Sequence, residues 1–198
     1  NTASALALPK LQETLPVTVT GVILPGARAA VAATRNGHIG VIGTRATIRS
    51  GAYERTLRSL NPDLHVTVRS CPLLVPLIEE GWLENEITDQ VLARYLETLV
   101  REGIDTLVLG CTHYPLLRDA IARLLGNEVT LVDSAQNCAS AVEALLREKN
   151  LHAPEGSVGG LDVALTDPPD NFLQVARAAL KLDVGKVQLR EVAHGAVR

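Results

Sequence analysis

Cys111, Thr112 and His113 put a thiol, a hydroxyl and an imidazole on three successive residues. A thiolate is a nucleophile and a base, an imidazole moves protons near neutral pH, and a hydroxyl donates to anions. The surrounding stretch reads Thr106-Leu-Val-Leu-Gly-Cys-Thr-His-Tyr-Pro-Leu-Leu117. Leu107, Val108 and Leu109 form an unbroken apolar run, which suits a strand covered on both faces. Gly110 lets the backbone turn sharply. Pro115 sits where a first helical residue is welcome, and Leu116, Leu117, Ile121 and Leu124 follow at helical spacing. The three residues are therefore predicted at the carboxyl end of a strand, on the turn into a helix, where open α/β sheets bind ligands. Free N–H groups at a helix start hold carboxylates and lower a thiol's pKa. Taken singly, a cysteine closing a buried strand is usually a small core residue, and a turn histidine a solvated one. The residues alone leave a thiol site and plain packing both open.

The elements that must position this turn alternate strand and helix. Asn1-Thr2-Ala3 opens a helix carrying Leu6, Leu8 and Leu11, with Asn1 or Thr2 as its cap. Val17–Leu24 alternates apolar residues with threonine and reads as a strand ended by Pro25-Gly26, with a helix over Ala27–Ala33. His38–Gly43 is a buried strand, followed by the turn Gly43-Thr44-Arg45-Ala46-Thr47, where Thr44 or Thr47 can cap a helix. Leu64–Val68 is a strand. Cys71 precedes Pro72 in an apolar segment and reads as structural, and Glu79 and Glu80 read as solvated acids. Ile87–Glu102 is an amphipathic helix with Ile87, Val91, Leu92, Tyr95, Leu96 and Leu99 on its apolar face, closed by Gly103. Val129–Val132 is a strand, Asp133 caps a helix over Ala135–Lys149, and Cys138 packs on that helix. Asn150–Gly160 is an exposed connection, Leu161–Thr166 a strand, Pro168–Leu180 a helix and Val187–Val192 a last strand. Such alternation predicts an α/β fold of doubly wound parallel sheets.

Composition narrows the function classes. The chain has 198 residues, 46% hydrophobic, with formal net charge -3 and charges of mixed sign. No nucleic-acid or membrane partner is expected, and no apolar run reaches membrane-spanning length. The three cysteines, Cys71, Cys111 and Cys138, fit neither a disulfide framework nor a metal site, which suits a reducing cytoplasm. No glycine-rich nucleotide motif is present, so a nucleotide cofactor is not indicated. Methionine is absent, from which an N-terminal part preceding Asn1 is expected.

Gly110-Cys111-Thr112-His113-Tyr114-Pro115 resembles the second cysteine motif of the glutamate racemases, in the aspartate/glutamate racemase family. Asn1-Thr2-Ala3 matches the residues next to the cysteine, on its carboxyl side, in the family's first motif. That cysteine would lie immediately before Asn1, with the strand bearing its acidic partner further upstream. The Gly43-Thr44-x-x-Thr47 turn is similar to the family's substrate-carboxylate loop. Glu79, in a Pro-Leu-x-Glu setting, matches the glutamate that orients the motif histidine. Leu165-Thr166-Asp167, ahead of Phe172, resembles the family's C-terminal region.

The resemblance implies two pseudo-symmetric α/β domains with the site between them: 24–132 as one complete domain, and 1–23 with 133–198 as the incomplete remnant of the other, whose sheet has an uncovered edge. It implies cofactor-independent, metal-free interconversion of L- and D-glutamate by two opposed cysteines, supplying D-glutamate for peptidoglycan, in a homodimer. Cys111 is then one acid/base, His113 assists it, Glu79 orients His113, and Asn1, Thr2, Thr44, Thr47 and Thr112 hold the substrate. Related aspartate racemases tend to carry a glutamate where His113 stands, so glutamate is the expected substrate. Hydantoin racemases and arylmalonate decarboxylases share the cysteine logic and stay open. Residues 1–198 alone, without the first cysteine, are expected to be an inactive or merely binding piece. Acyl transfer by a Cys111–His113 pair is the rival chemistry, and two residues apart on one turn the side chains are not expected to face each other.

Overall fold

The computed structural model describes residues 1–167, 173, 176 and 187–191. The chain forms two compact units, Asn1–His152 and Ala153–Arg198. In the first unit α1 (Thr2–Leu6), α2 (Leu8–Thr14) and α3 (Ile23–Ala33) precede β1 (His38–Gly43). Then come α4 (Arg45–Arg49), α5 (Ala52–Leu60), β2 (His65–Ser70), α6 (Leu74–Glu79) and α7 (Glu86–Arg101). β3 (Thr106–Gly110) leads through a 3-10 turn, Tyr114–Leu117, into α8 (Arg118–Leu125), and β4 (Thr130–Asp133) into α9 (Ser134–Glu148).

The four strands form one wholly parallel sheet in the order β2-β1-β3-β4. Both faces are covered, as the apolar runs require. Leu107 and Leu109 of β3 point into a core with Leu74, Leu92, Leu96 and Leu99, while Val108 between them joins Ile39, Val41, Tyr53 and Leu57 in a second core. Two helical layers thus hold β3 rigidly from both sides.

Three expectations change. Val17–Leu24 forms no strand: residues 15–22 have no sheet partner and Val17 is exposed. Alternation cannot make a strand without a neighbour to hydrogen-bond. α3 instead starts at Ile23 and runs through Pro25, which a first turn accepts because an N–H there would have no helical acceptor anyway, and Gly26, whose N–H donates to the Val22 carbonyl at 3.2 Å. On α7, Ile87 is exposed, and Thr88 is buried in its place with its hydroxyl donating to the Trp82 carbonyl at 2.7 Å. The opening helix breaks at Ala7 into α1 and α2.

Asp105, at the start of β3, anchors the far end of the sheet. Its buried carboxylate accepts from Thr34 Oγ1 (2.6 Å), the Arg35 and Asn36 N–H groups (2.6 and 2.7 Å) and Thr106 Oγ1 (2.9 Å). Burial raises its pKa, but these hydrogen bonds outweigh burial and hold it below the usual carboxylate value. Asp105→Ala strips the acceptor from four donors and is expected to cost on the order of 3 kcal/mol in urea unfolding. Because the folded carboxyl titrates below the unfolded one, its stabilisation is present above about pH 4 and lost as the pH falls through the folded pKa. An acid limb of the stability curve unchanged by the substitution would refute this.

In the second unit, Ala153–Gly160 has no regular structure. β5 (Val163–Leu165) and β6 (Val187–Leu189) pair in parallel. The strand expected over Leu161–Thr166 is thus shorter. The expected helix Pro168–Leu180 falls almost wholly outside the described residues, as do Phe172 and the end of the last strand.

Candidate active site

The strand order places the switch point between β1 and β3, where connections leave in opposite directions. In register, Gly43 of β1 faces Gly110 of β3 on one side and Ser70 of β2 on the other. Thr44 and Cys111 therefore leave the sheet side by side. A Cβ on Gly110 would stand 2.6 Å from the Ile42 carbonyl oxygen and 3.1 Å from Tyr53 Cε2, so only glycine fits there.

Thr44 caps α4, accepting from the Thr47 N–H at 3.2 Å. It serves a second purpose as well. The hydroxyls of Thr2, Thr44 and Thr47 form a triangle, each pair 3.0 Å apart. Three rotatable O–H groups converging on one point can redirect their hydrogens toward an arriving carboxylate.

Cys111 is 5% exposed, and its Sγ lies 4.0 Å from His113 Nδ1. On the other side of the ring, His113 Nε2 lies 3.2 Å from Glu79 Oε1, at the end of α6. The carboxylate keeps the ring proton on Nε2, which leaves Nδ1 as an acceptor toward the thiol. Glu79 and His113 are partly exposed, so their pairing adds little stability and acts by orienting the ring. Burial pushes the Cys111 thiol up; the His113 and Tyr114 N–H groups and the Thr112 hydroxyl oppose it less strongly. This corrects the expectation of a lowered thiol pKa. A short 3-10 turn, not an α-helix, follows Cys111, and the N–H groups it brings to the sulfur do not offset desolvation. The structure also brings Cys111 and His113 together, as an assisting role for His113 requires.

Asn1 does not cap α1 with its side chain. Its amide instead accepts from the Tyr53 hydroxyl at 2.6 Å and donates to Ser134 Oγ at 3.1 Å. Thr112 is exposed beside Cys111. Glu80 is exposed, as expected of a solvated acid. Cys71 is buried with its thiol pushed up to about 12, and its carbonyl accepts from the Tyr114 hydroxyl at 2.8 Å. Asp133 caps α9, accepting from the Ala135 and Gln136 N–H groups.

Sequence reasoning missed Tyr53 and Ser134. The available signal was a tyrosine one turn before Leu57 on an otherwise charged helix: a buried phenol needs a partner for its hydroxyl. Among the described residues no group of three or more His, Cys, Asp or Glu side chains is placed to hold a metal ion, and no helix is long and apolar enough to cross a membrane.

The chain is similar to known proteins. The model of the Asp/Glu/Hydantoin racemase family matches residues 1–142. A glutamate racemase of Geobacter metallireducens is 49% identical over 187 residues, covering 94% of this chain and 69% of that relative. The solved structure of a glutamate racemase isoform, RacE1, of Bacillus anthracis matches with TM-score 0.91 at 38% identity, over 96% of this chain and 71% of that one. That of the Francisella tularensis glutamate racemase in complex with D-glutamate matches with TM-score 0.87 at 31% identity, over 96% of this chain and 70% of that one. The chain thus spans about two thirds of the length of the relatives it matches. Motifs, fold and relatives converge, and the chain belongs to the Asp/Glu/hydantoin racemase family, on its amino-acid racemase branch and so among the isomerases.

Proposed function

We propose that the whole protein interconverts L- and D-glutamate with two opposed cysteines and no cofactor. One arrangement carries the reading: a thiol backed by a carboxylate-held imidazole, Cys111–His113–Glu79, at a switch point that also presents the ring of Thr2, Thr44 and Thr47 hydroxyls. These hydroxyls, with Thr112 and the Asn1 amide, bind the substrate carboxylates. Fixed donors of this kind hold the α-carbon between the two proton-transferring groups.

One thiolate removes the α-proton and the opposite thiol returns a proton to the other face. One proton leaves and one arrives, so nothing is oxidised or reduced. Burial keeps Cys111 a thiol at neutral pH, the state that donates. For the opposite enantiomer, His113 Nδ1 draws that proton off before Cys111 acts as the base. The second thiol belongs to the residue expected directly before Asn1.

In this reading residues 24–132 form one domain, and 1–23 with 133–198 belong to its companion. The protein is a cytoplasmic homodimer that supplies D-glutamate for peptidoglycan. Circular dichroism of each enantiomer over time, without added cofactor, is the test. A requirement for pyridoxal phosphate, or activity confined to aspartate, would overturn the reading. Acyl transfer is the competing use of a thiol–imidazole pair. Deuterium entering the α-carbon from solvent supports racemisation, and a trapped acyl-enzyme supports the rival.

A further inference from the structure

The amide of Asn1 is held by two buried side chains. Tyr53 is 2% exposed and Ser134 is 1% exposed. Their hydrogen bonds have only one consistent polarity. The Leu109 carbonyl can only accept, and Ser134 Oγ lies 3.0 Å from it. Ser134 has one hydrogen, and the alternative acceptor, Asn1 Oδ1, is further away at 3.4 Å. With that hydrogen given to Leu109, Ser134 Oγ must accept, so Asn1 turns its NH2 toward it at 3.1 Å. Asn1 Oδ1 then faces the Tyr53 hydroxyl at 2.6 Å, and Tyr53 must donate. Burial pushes the phenol's pKa up, which keeps this donor protonated. Among the described residues, one N–H hydrogen of the Asn1 amide has no acceptor.

Packing locks the two supports in place. A Cβ on Gly26 would stand 3.2 Å from Ser134 Cβ and 3.6 Å from the Tyr53 hydroxyl. The Tyr53 ring also fills the space over Gly110. A carbonyl two residues before Cys111 therefore sets, through Ser134, which way the Asn1 amide faces.

We infer that Tyr53 and Ser134 are positioning residues, which orient the Asn1 amide so that its free N–H is presented to a substrate carboxylate. The inference rests on the racemase reading above and deepens it. Without the Tyr53 hydroxyl, Oδ1 loses its donor and Ser134 alone holds the amide, so the flipped form gains population. A flipped amide presents oxygen to an anion, which repels it.

Tyr53→Phe in the full-length protein tests this, since the ring and its packing are kept. A carboxylate contact is made equally in ground and transition states, so its loss raises KM more than it lowers kcat. KM for both L- and D-glutamate is expected to rise about tenfold, as for the loss of a hydrogen bond to a charged group, with kcat changed much less. In an Asn1→Ala background, Tyr53→Phe is expected to change KM by less than about twofold, because the two act as one unit. A merely structural role would give the same loss in both backgrounds. Ser134→Ala should reproduce the pattern and carries the test if Tyr53→Phe does not fold. Unchanged KM, or an equal effect with and without Asn1, overturns the inference while the racemase reading stands. A parent that does not racemise glutamate overturns both.

Discussion

Cys111→Ala in the whole protein is expected to lower racemisation about 10⁴-fold in both directions, the upper range for a positioned acid/base. Both directions suffer because inversion needs a proton group on each face, whichever enantiomer enters. Of the three thiols in residues 1–198, Cys111 alone stands on the switch-point turn with an imidazole beside it. Cys71 cannot replace it: the thiol is buried, and burial holds it near 12. Cys138 lies one turn into α9, on a different element from the turn that carries His113. Cys138→Ala should leave the rate within about twofold, as for a substitution outside the acting set. Residues 1–198 by themselves, bringing one thiol to the turn, should be as inactive as the Cys111 variant. The readout is the optical rotation of L-glutamate with time, with deuterium uptake at the α-carbon followed in parallel. Exchange without inversion marks a protein with one working face. Racemisation that survives Cys111→Ala would place the chemistry elsewhere.

His113→Ala is expected to reduce kcat by roughly 10²–10³-fold, and unequally in the two directions. Nδ1 faces Cys111 at 4.0 Å and Nε2 is held by Glu79, so the ring serves one thiol and one face. Two enantiomers in an achiral solvent have equal free energy, so kcat/KM must be the same in both directions for any variant. The asymmetry therefore shows in kcat, with KM of the slower direction falling in step. Glu79→Gln should give the same asymmetry in milder form, because it loosens the ring without removing it. Equal kcat losses in both directions would make His113 a general support of the site and not a partner of Cys111.

Local pattern made much of this legible. The apolar run of β3, the glycine after it and the proline of the following turn located the ligand-binding end of a strand, and that end is where the structure places Cys111. Helix caps at Thr44 and Asp133 were likewise readable, since a cap is set by residues two or three positions away. Where a local pattern had no physical partner it misled. Val17–Leu24 has the alternation of a strand and no neighbouring strand, and Ile87 has the spacing of a core residue but a place at the exposed start of α7.

By itself the sequence determined the parallel α/β architecture, the turn that carries Cys111, Thr112 and His113, and the family resemblance, because each is written in contiguous residues. Only the tertiary structure decided what surrounds that turn. The hydroxyl triangle joins Thr2 to residues 42 and 45 positions away, and the hold of Tyr53 on Asn1 spans 52. Such contacts are set by how helices pack on the sheet, which no local spacing encodes. The protonation of Cys111 belongs to the same class. The sequence suggested a helix start that lowers the thiol's pKa, whereas the packed site buries the sulfur, and desolvation outweighs the few N–H groups that reach it.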